Sequence, residues 1–395
     1  MSPTFDHIII LADESANWKI GGLRQLDRLV LALDELATSI SSQRKIDIFI
    51  FWRPDIGAER RWQPQNPRLT RCNFVDALVV GARGRVLSTR LLVNRRGLEQ
   101  FAHDSVPLEN DSTIGDEPAF WEKLWQRFEK ACLDSSAAEH SDAWRYLGRD
   151  GEIAPCERWL LRGSGKSRDG IVSRYLNRPI SRAVSRFLLK TSITPNIWTW
   201  LITLLPVIGF FFLTRGHYLG FVVGAGLFHI HSVLDGCDGE IARVKYLDSE
   251  KGPGLDALGD LIALLLFSLG LGFGLFRAGN DNGLPPWIFL TEGFLSFLFI
   301  AARLGPHTFD LLHRGPAAVA SSAHDESLRN SGGRIFGERV TSLVFELTKR
   351  DVVYLMFLVL AVLGLMQWIL HLLFVYSVAT LLLRQSGSQR SSAIS

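Results

Sequence analysis

The chain has 395 residues, 47% hydrophobic and 21% charged, with a formal net charge of +3. That length exceeds one small domain, and so slight a net charge is too small to imply nucleic-acid binding. The four cysteines (Cys72, Cys132, Cys156, Cys237) form no CxxC pair, which excludes a zinc knuckle or disulfide framework and suits a reducing cytoplasm.

Charge is uneven along the chain. Residues 1–190 are rich in it, and 195–383 hold most of the long apolar runs. His7–Leu11 is a short apolar run with no basic stretch before it, and is expected to be a first strand and not a signal peptide. A turn is expected at Asp13–Gly22. Leu26, Leu29, Val30, Leu33 and Leu36 then fall at helical spacing and predict a helix over Leu23–Thr38. Lys45–Trp52 alternates and is β-branched and aromatic, a second strand; Val75–Val80 is a third apolar run. Strand–helix–strand order predicts a small α/β layer with a parallel sheet over 1–155. Trp121, Trp125, Phe128 and Trp144 are expected on helices, as core and not as a cofactor box.

Three front segments carry a resemblance. IIILAD, GGLRQLDRLVLAL and VLSTRLLVN are similar to the first strand, the next helix and a later segment of sugar-phosphate and inositol-phosphate cytidylyltransferases. The resemblance implies a nucleotidyltransferase-like domain. Those enzymes carry Gly-x-Gly-x-Arg after the first strand, where backbone N–H groups meet a triphosphate. Here Ala12-Asp13-Glu14-Ser15-Ala16 stands in its place and adds negative charge. The domain is therefore expected to be degenerate and inactive, kept as a scaffold.

Residues 156–192 form a basic approach to the first apolar run. Arg174, Arg178, Arg182 and Arg186 recur every four residues beside Ile171, Tyr175, Ile180, Val184, Phe187 and Leu188. This pattern predicts helix in the headgroup layer of an anionic bilayer, split in two by Pro179.

Apolar spans follow at Ile197–Leu213, Tyr218–Leu234, Leu255–Phe276, Trp287–Ala302, Val352–Leu363 and Met366–Leu383. The last two abut at Gly364 and could be one long helix. Read as six spans over 193–385, they place both chain ends in the cytoplasm. The outward connections 214–217 and 277–286 carry only Arg215 and Arg277 as cations, whereas 157–190 and 303–350 carry many. The expected setting is a multi-pass protein of the cell (inner) membrane with a cytoplasmic front domain. Residues 305–350 are a polar insertion, and 386–395 a Ser-rich disordered tail.

This topology brings Asp235, Asp238, Asp256 and Asp260 to one cytoplasmic depth. Spacings of three and four let each pair face one way from a helix. Carboxylates at a membrane are costly and point to function. Their hard oxygens suit two Mg²⁺ or Mn²⁺ ions, which usually hold phosphates too. Gly239 and Gly252 leave room for close approach, and Arg243 offers a planar fork to a phosphate oxygen.

Asp235, Asp238, Gly239, Ala242, Arg243, Gly252, Asp256 and Asp260 fit Asp-x2-Asp-Gly-x2-Ala-Arg-x8-Gly-x3-Asp-x3-Asp, the signature of the CDP-alcohol phosphotransferases. The resemblance covers about 170–385. DGIVSRYLNRPISR and the front layout are most similar to the branch fused to an inositol-phosphate cytidylyltransferase. It implies a dimeric membrane enzyme that moves a substituted phosphoryl group from a CDP-alcohol to an acceptor hydroxyl and releases CMP, in phospholipid or inositol-lipid synthesis. Asp235, Asp238, Asp256 and Asp260 would hold the metals, and Asp260 would also be the base. Asp235, Asp238, Gly239, Ala242, Arg243 and Gly252 would line the CDP site, with Thr194 and Asn196 near the cytosine. Arg303 and Arg350 are candidates for an acceptor phosphate such as that of inositol phosphate. Two other readings stand beside this one: a bifunctional enzyme whose front domain makes its own CDP-inositol, and a cation transporter with an acidic ion path.

Overall fold

The computed structural model describes residues 7–40, 45–76, 84–95, 118–138, 143–163, 170–279, 284–315 and 349–378. It divides into two compact units. The first comprises residues 1–165 with two short segments, 186–192 and 243–246; the second comprises 166–185, 193–242 and 247–395.

The first unit is built on a four-stranded parallel sheet. Its strands are β1 (His7–Ala12), β4 (Ile46–Trp52), β5 (Cys72–Phe74) and β6 (Gly84–Ser88), in the order β5-β4-β1-β6. β1 is central, with His7 level with Asp47 on one side and Gly84 on the other. Both of its neighbours are parallel, so both faces need cover, and Ile8–Ala12 are all buried. Helix α1 (Gln25–Ile40) covers one face with Leu26, Leu29, Val30, Leu33 and Leu36, the residues its periodicity selected.

Three front expectations need correction. The helix starts at Gln25 and not Leu23, because β2 (Lys19–Ile20) and β3 (Leu23–Arg24) pair as a tight hairpin. Gly21 and Gly22 make that turn at φ +55° and +81°, a region other residues reach only with strain. The third strand is Cys72–Phe74; of the Val75–Val80 run, 77–80 lie outside the described residues. Asp34 fixes the entry to it, its carboxylate accepting the backbone N–H of Thr70, Arg71 and Cys72 at 2.9, 2.6 and 3.1 Å. Trp144 lies on a strand, β8 (Trp144–Tyr146), antiparallel to β7 (Leu91–Val93), and not on a helix.

The other aromatics are core, as expected. On α2 (Pro118–Ala138), Trp121, Trp125 and Phe128 are buried, and the Trp121 ring stacks on Phe51 at 4.3 Å. Helix α3 (Ile153–Gly163) follows.

Within this unit Arg28 is 2% exposed and donates to two carbonyls, Val244 at 2.6 Å and Ile20 at 2.5 Å. Burial pulls its guanidinium down to about 10. Lys245 Nζ donates to the Thr191 carbonyl at 2.8 Å. A Cβ on Gly22 would stand 2.4 Å from the Leu189 carbonyl oxygen, so this approach needs glycine. Arg28→Ala would strand two buried carbonyls, and is expected to lower stability by roughly 2–4 kcal/mol in denaturant melts. A loss under about 0.5 kcal/mol, the range of ordinary surface changes, would show that water replaces the guanidinium.

The second unit is helical. Within the basic approach, residues 171–188 are one continuous helical run, contrary to the break expected at Pro179. A π-helical turn, Ser173–Asn177, leads directly into α4 (Arg178–Leu188). Pro179 lacks the N–H that an α-turn would use and its ring crowds the turn before it; the wider turn absorbs both.

Helices α5 (Pro195–Leu213), α6 (Tyr218–Lys245), α7 (Gly252–Ala278) and α8 (Trp287–Arg314) are each long and apolar enough to cross a membrane. α9 (Arg350–Val362) and α10 (Met366–Val378) are apolar but shorter. Four candidate spans therefore stand where six were expected, with 379–383 outside the described residues. The chain breaks at Gly364, φ +75°, so 352–378 is two helices and not one.

α7 packs on α5 and α8. The crossing with α8 is close because a Cβ on Gly272 would stand 3.0 Å from the Gly293 Cα. Phe228, Phe267, Tyr354 and Phe357 join α6, α7 and α9, with Phe267 stacked on Phe357 at 4.6 Å. α6 and α8 run past their expected ends at Leu234 and Ala302. The whole stretch Asp235–Arg243 is thereby helical, and Arg303 sits within α8.

Candidate functional site

Helices α6 and α7 bring the carboxylates together. Asp235 and Asp238 lie one turn apart on α6, and Asp256 is in the second turn of α7. Each offers an oxygen, and these oxygens lie within 4.8 Å of one another. Asp235 is buried; Asp238 and Asp256 are half-buried. Three like charges at that range repel strongly away from bulk water, so the cluster needs cations.

Arg350 brings positive charge to these carboxylates. Arg350, the first residue of α9, ion-pairs with Asp235 and with Asp260, one turn beyond Asp256. Asp238 is oriented separately. Its Oδ2 accepts from Thr199 Oγ1 at 2.9 Å, and its Oδ1 meets the Gly239 N–H. Trp198 Nε1 donates to the Leu234 carbonyl at 3.0 Å, so α5 holds α6 on both sides of Asp235. Gly259 allows α5 and α7 to approach: its Cβ would stand 3.3 Å from Thr203 Oγ1.

The donor set fits a divalent metal. Three carboxylates from two helices supply hard oxygens within one coordination sphere's reach. Asp260 is set against Arg350 instead of within that trio.

The remaining expected residues are placed as follows. Thr194 caps α5, its Oγ1 accepting from the Ile197 N–H at 3.4 Å, and Asn196 is in the first turn. Ala242 is buried on α6, two turns past Asp235, and half-buried Arg243 follows it. Gly252 opens α7 with its N–H on the Ser249 carbonyl. The Arg303 guanidinium lies over the Tyr376 ring at 5.5 Å. Thr199 was not singled out from sequence, although Thr199 and Thr203, four apart within an apolar run, mark a polar stripe on α5.

A second place for chemistry exists in the first unit. In an open parallel sheet, ligands bind at the strand C-termini where the strand order reverses. Here that point lies between β1 and β6, and side chains of this chain fill it. Asp13, 2% exposed, pairs with Arg90 Nε at 2.5 Å and takes the Ser15 N–H at 2.8 Å. Ser15 Oγ and Thr89 Oγ1 are 2.7 Å apart, and Arg90 Nη1 donates to the Gly148 carbonyl at 2.7 Å. The carboxylate thus takes up the Arg90 guanidinium.

Residues 192–308, which hold this carboxylate site, match the CDP-alcohol phosphatidyltransferase family model. The chain thus carries a CDP-alcohol phosphatidyltransferase domain in its C-terminal region. Its relatives include the bifunctional IPC transferase and DIPP synthase of Thermococcus kodakarensis, 33% identical over 132 residues, 32% of this chain and 29% of the relative. The Rubrobacter xylanophilus protein of that name is 34% identical over 33% of this chain and 30% of its own length. That of Aquifex aeolicus is 30% identical over 37% and 32%. The matched stretch thus spans about a third of these relatives' length, and covers only the CDP-alcohol domain.

Proposed function

We propose that the protein is a membrane enzyme that transfers a substituted phosphoryl group from a CDP-alcohol to an acceptor hydroxyl, releasing CMP. The observation that carries this reading is the trio Asp235, Asp238 and Asp256, oxygens within 4.8 Å, with Asp260 one turn past Asp256 and Arg350 paired to Asp235 and Asp260. Asp235, Asp238 and Asp256 would hold the divalent ions. Bound there, such ions neutralise phosphate charge and orient the diphosphate for in-line displacement.

The chain's own residues do the rest. The acceptor oxygen bonds to the phosphorus that carries the alcohol. The bond from that phosphorus to the bridging oxygen breaks, and CMP leaves with the bond's electrons. The acceptor proton passes to an Asp260 carboxylate oxygen. Arg350 balances Asp235 and Asp260 and turns its remaining N–H donors to a phosphate on the acceptor. Thr199 keeps Asp238 turned toward the shared centre. Gly239, Ala242, Arg243 and Gly252 line the CDP side, with Thr194 and Asn196 at the cytosine end.

An inositol phosphate acceptor is supported by the names of the relatives, and Arg350 suits a phosphate-bearing acceptor. The basic connections support a cytoplasmic site and front domain in the cell membrane. The Asp13–Arg90 pair favours a front domain that no longer turns over nucleotide.

The test is product mass spectrometry with purified full-length protein, Mg²⁺ and a panel of CDP-alcohols and acceptors. CMP and a new phosphodiester are expected. Cation flux in proteoliposomes without CMP from any donor would overturn the reading in favour of transport. In a second arm, CTP and inositol phosphate should release no pyrophosphate; release would restore the front domain as a cytidylyltransferase.

A further inference from the structure

A buried charge on the back of the motif helix has no part in the chemistry above. Glu240 is wholly buried on α6, two residues past Asp238. Arg178 Nη1 donates to its Oε1 at 2.9 Å, and Arg178 is itself 6% exposed. Ser181 Oγ donates to Oε1 at 2.9 Å and Ser185 Oγ to Oε2 at 2.7 Å. Arg178 also reaches the Gly236 carbonyl at 3.4 Å, and Cys237 Sγ contacts the Ser181 carbonyl at 3.4 Å. A Cβ on Gly236 would stand 2.9 Å from the Arg178 guanidinium. Arg178 is the only charged side chain paired with Glu240 among the described residues.

We infer that Glu240 is a positioning residue, which with Arg178, Ser181 and Ser185 fixes the rotation of α6 and so aims Asp235 and Asp238 at their shared centre. At 3.6 residues per turn, Glu240 stands about 140° round the helix from Asp235 and about 200° from Asp238. It thus grips the face opposite the carboxylates. An apolar contact there would hold α6 but leave its rotation soft, since hydrophobic attraction has no direction. Three donors on one carboxylate define a single angle. Burying such a pair is seldom the most stable solution, so its presence between two helices points to specificity of geometry. The exposed side of the helical run through the π-turn and α4 agrees. Tyr175, Ile180 and Phe187 face outward at 74%, 46% and 71%, leaving the polar side of the run to α6. Of the arginines expected in the headgroup layer, Arg178 is thus turned inward.

This inference rests on the carboxylates holding a metal, so the experiment carries one readout that needs none. The full chain is studied as wild type, Glu240→Gln and the double variant Arg178→Met/Glu240→Met, which replaces the pair with apolar packing. Mn²⁺ affinity is read by electron paramagnetic resonance. Spin labels at Ile180→Cys and Ile230→Cys, with Cys72→Ser, report the α4–α6 distance distribution without metal. The double variant is expected to melt near wild type, yet bind Mn²⁺ at least about tenfold more weakly with a broadened distance distribution. Glu240→Gln should lie between. Wild-type affinity and a narrow distribution in the double variant, or in Glu240→Gln should the double variant not fold, would overturn the proposal. Mn²⁺ binding by wild type that Asp238→Asn leaves unchanged would instead remove the metal reading, and the distance readout would still decide the role of Glu240.

Discussion

Asp260→Asn is expected to slow CMP release by about 10²–10⁴-fold, the usual contribution of a general base. Divalent-cation binding should change little in the same variant. The two effects separate because Asp260 is set against Arg350, whereas Asp235, Asp238 and Asp256 form the oxygen trio. Asp238→Asn is the contrasting variant. It removes one of three oxygens within 4.8 Å and the acceptor of the Thr199 hydroxyl, so affinity and turnover should fall together. Paired Mn²⁺ titrations and CMP assays on the two variants check this. Turnover within about threefold of wild type in Asp260→Asn would remove it as the base; loss of Mn²⁺ binding there would make it a ligand instead.

Arg350→Met has the second largest expected effect. The guanidinium pairs with both Asp235 and Asp260. Without it, both carboxylates lose that ion pair. Breaking a buried pair costs about 3–5 kcal/mol, and the partial exposure of Arg350 reduces this to roughly 1–3 kcal/mol. Mg²⁺ would neutralise the same carboxylates, so the variant should gain more thermal stability from Mg²⁺ than wild type does. Arg350→Lys keeps the charge but loses the fork. It should restore stability while leaving the KM for a phosphate-bearing acceptor raised. Equal Mg²⁺ stabilisation of Arg350→Met and wild type would show that arginine and metal do not share these carboxylates.

The parallel sheet was legible because β1 is a continuous apolar run and β4 is β-branched and aromatic, and α1 because Leu26, Leu29, Val30, Leu33 and Leu36 keep one period. Local pattern failed where pairing is non-local. Leu23–Arg24 looks helical until Gly21 and Gly22 fold it onto Lys19–Ile20. Trp144 reads as a helical aromatic until Leu91–Val93 pairs with it. Pro179 reads as a break, yet a π-turn lets the helix continue.

At the site, the spacing of Asp235, Asp238, Asp256 and Asp260 marked the acidic cluster before any coordinate, because a helix places residues three and four apart on one face. Pattern also named Arg350, though as one of two equal candidates. Their different surroundings are tertiary: Arg350 pairs with Asp235, while Arg303 lies over Tyr376. Thr199 on Asp238 and Arg178 on Glu240 are tertiary as well.

By itself, then, the sequence determined which residues are acidic, apolar or turn-forming, and so the sheet, the helices and the spacing of the carboxylates. Only the tertiary structure decided that three carboxylates share one centre, that the fourth meets an arginine, and that Glu240 and Asp13 are taken up by internal partners. The physical reason is range. Periodicity reports the face a residue occupies on its own element, and charge neutralisation is settled between elements distant in the chain.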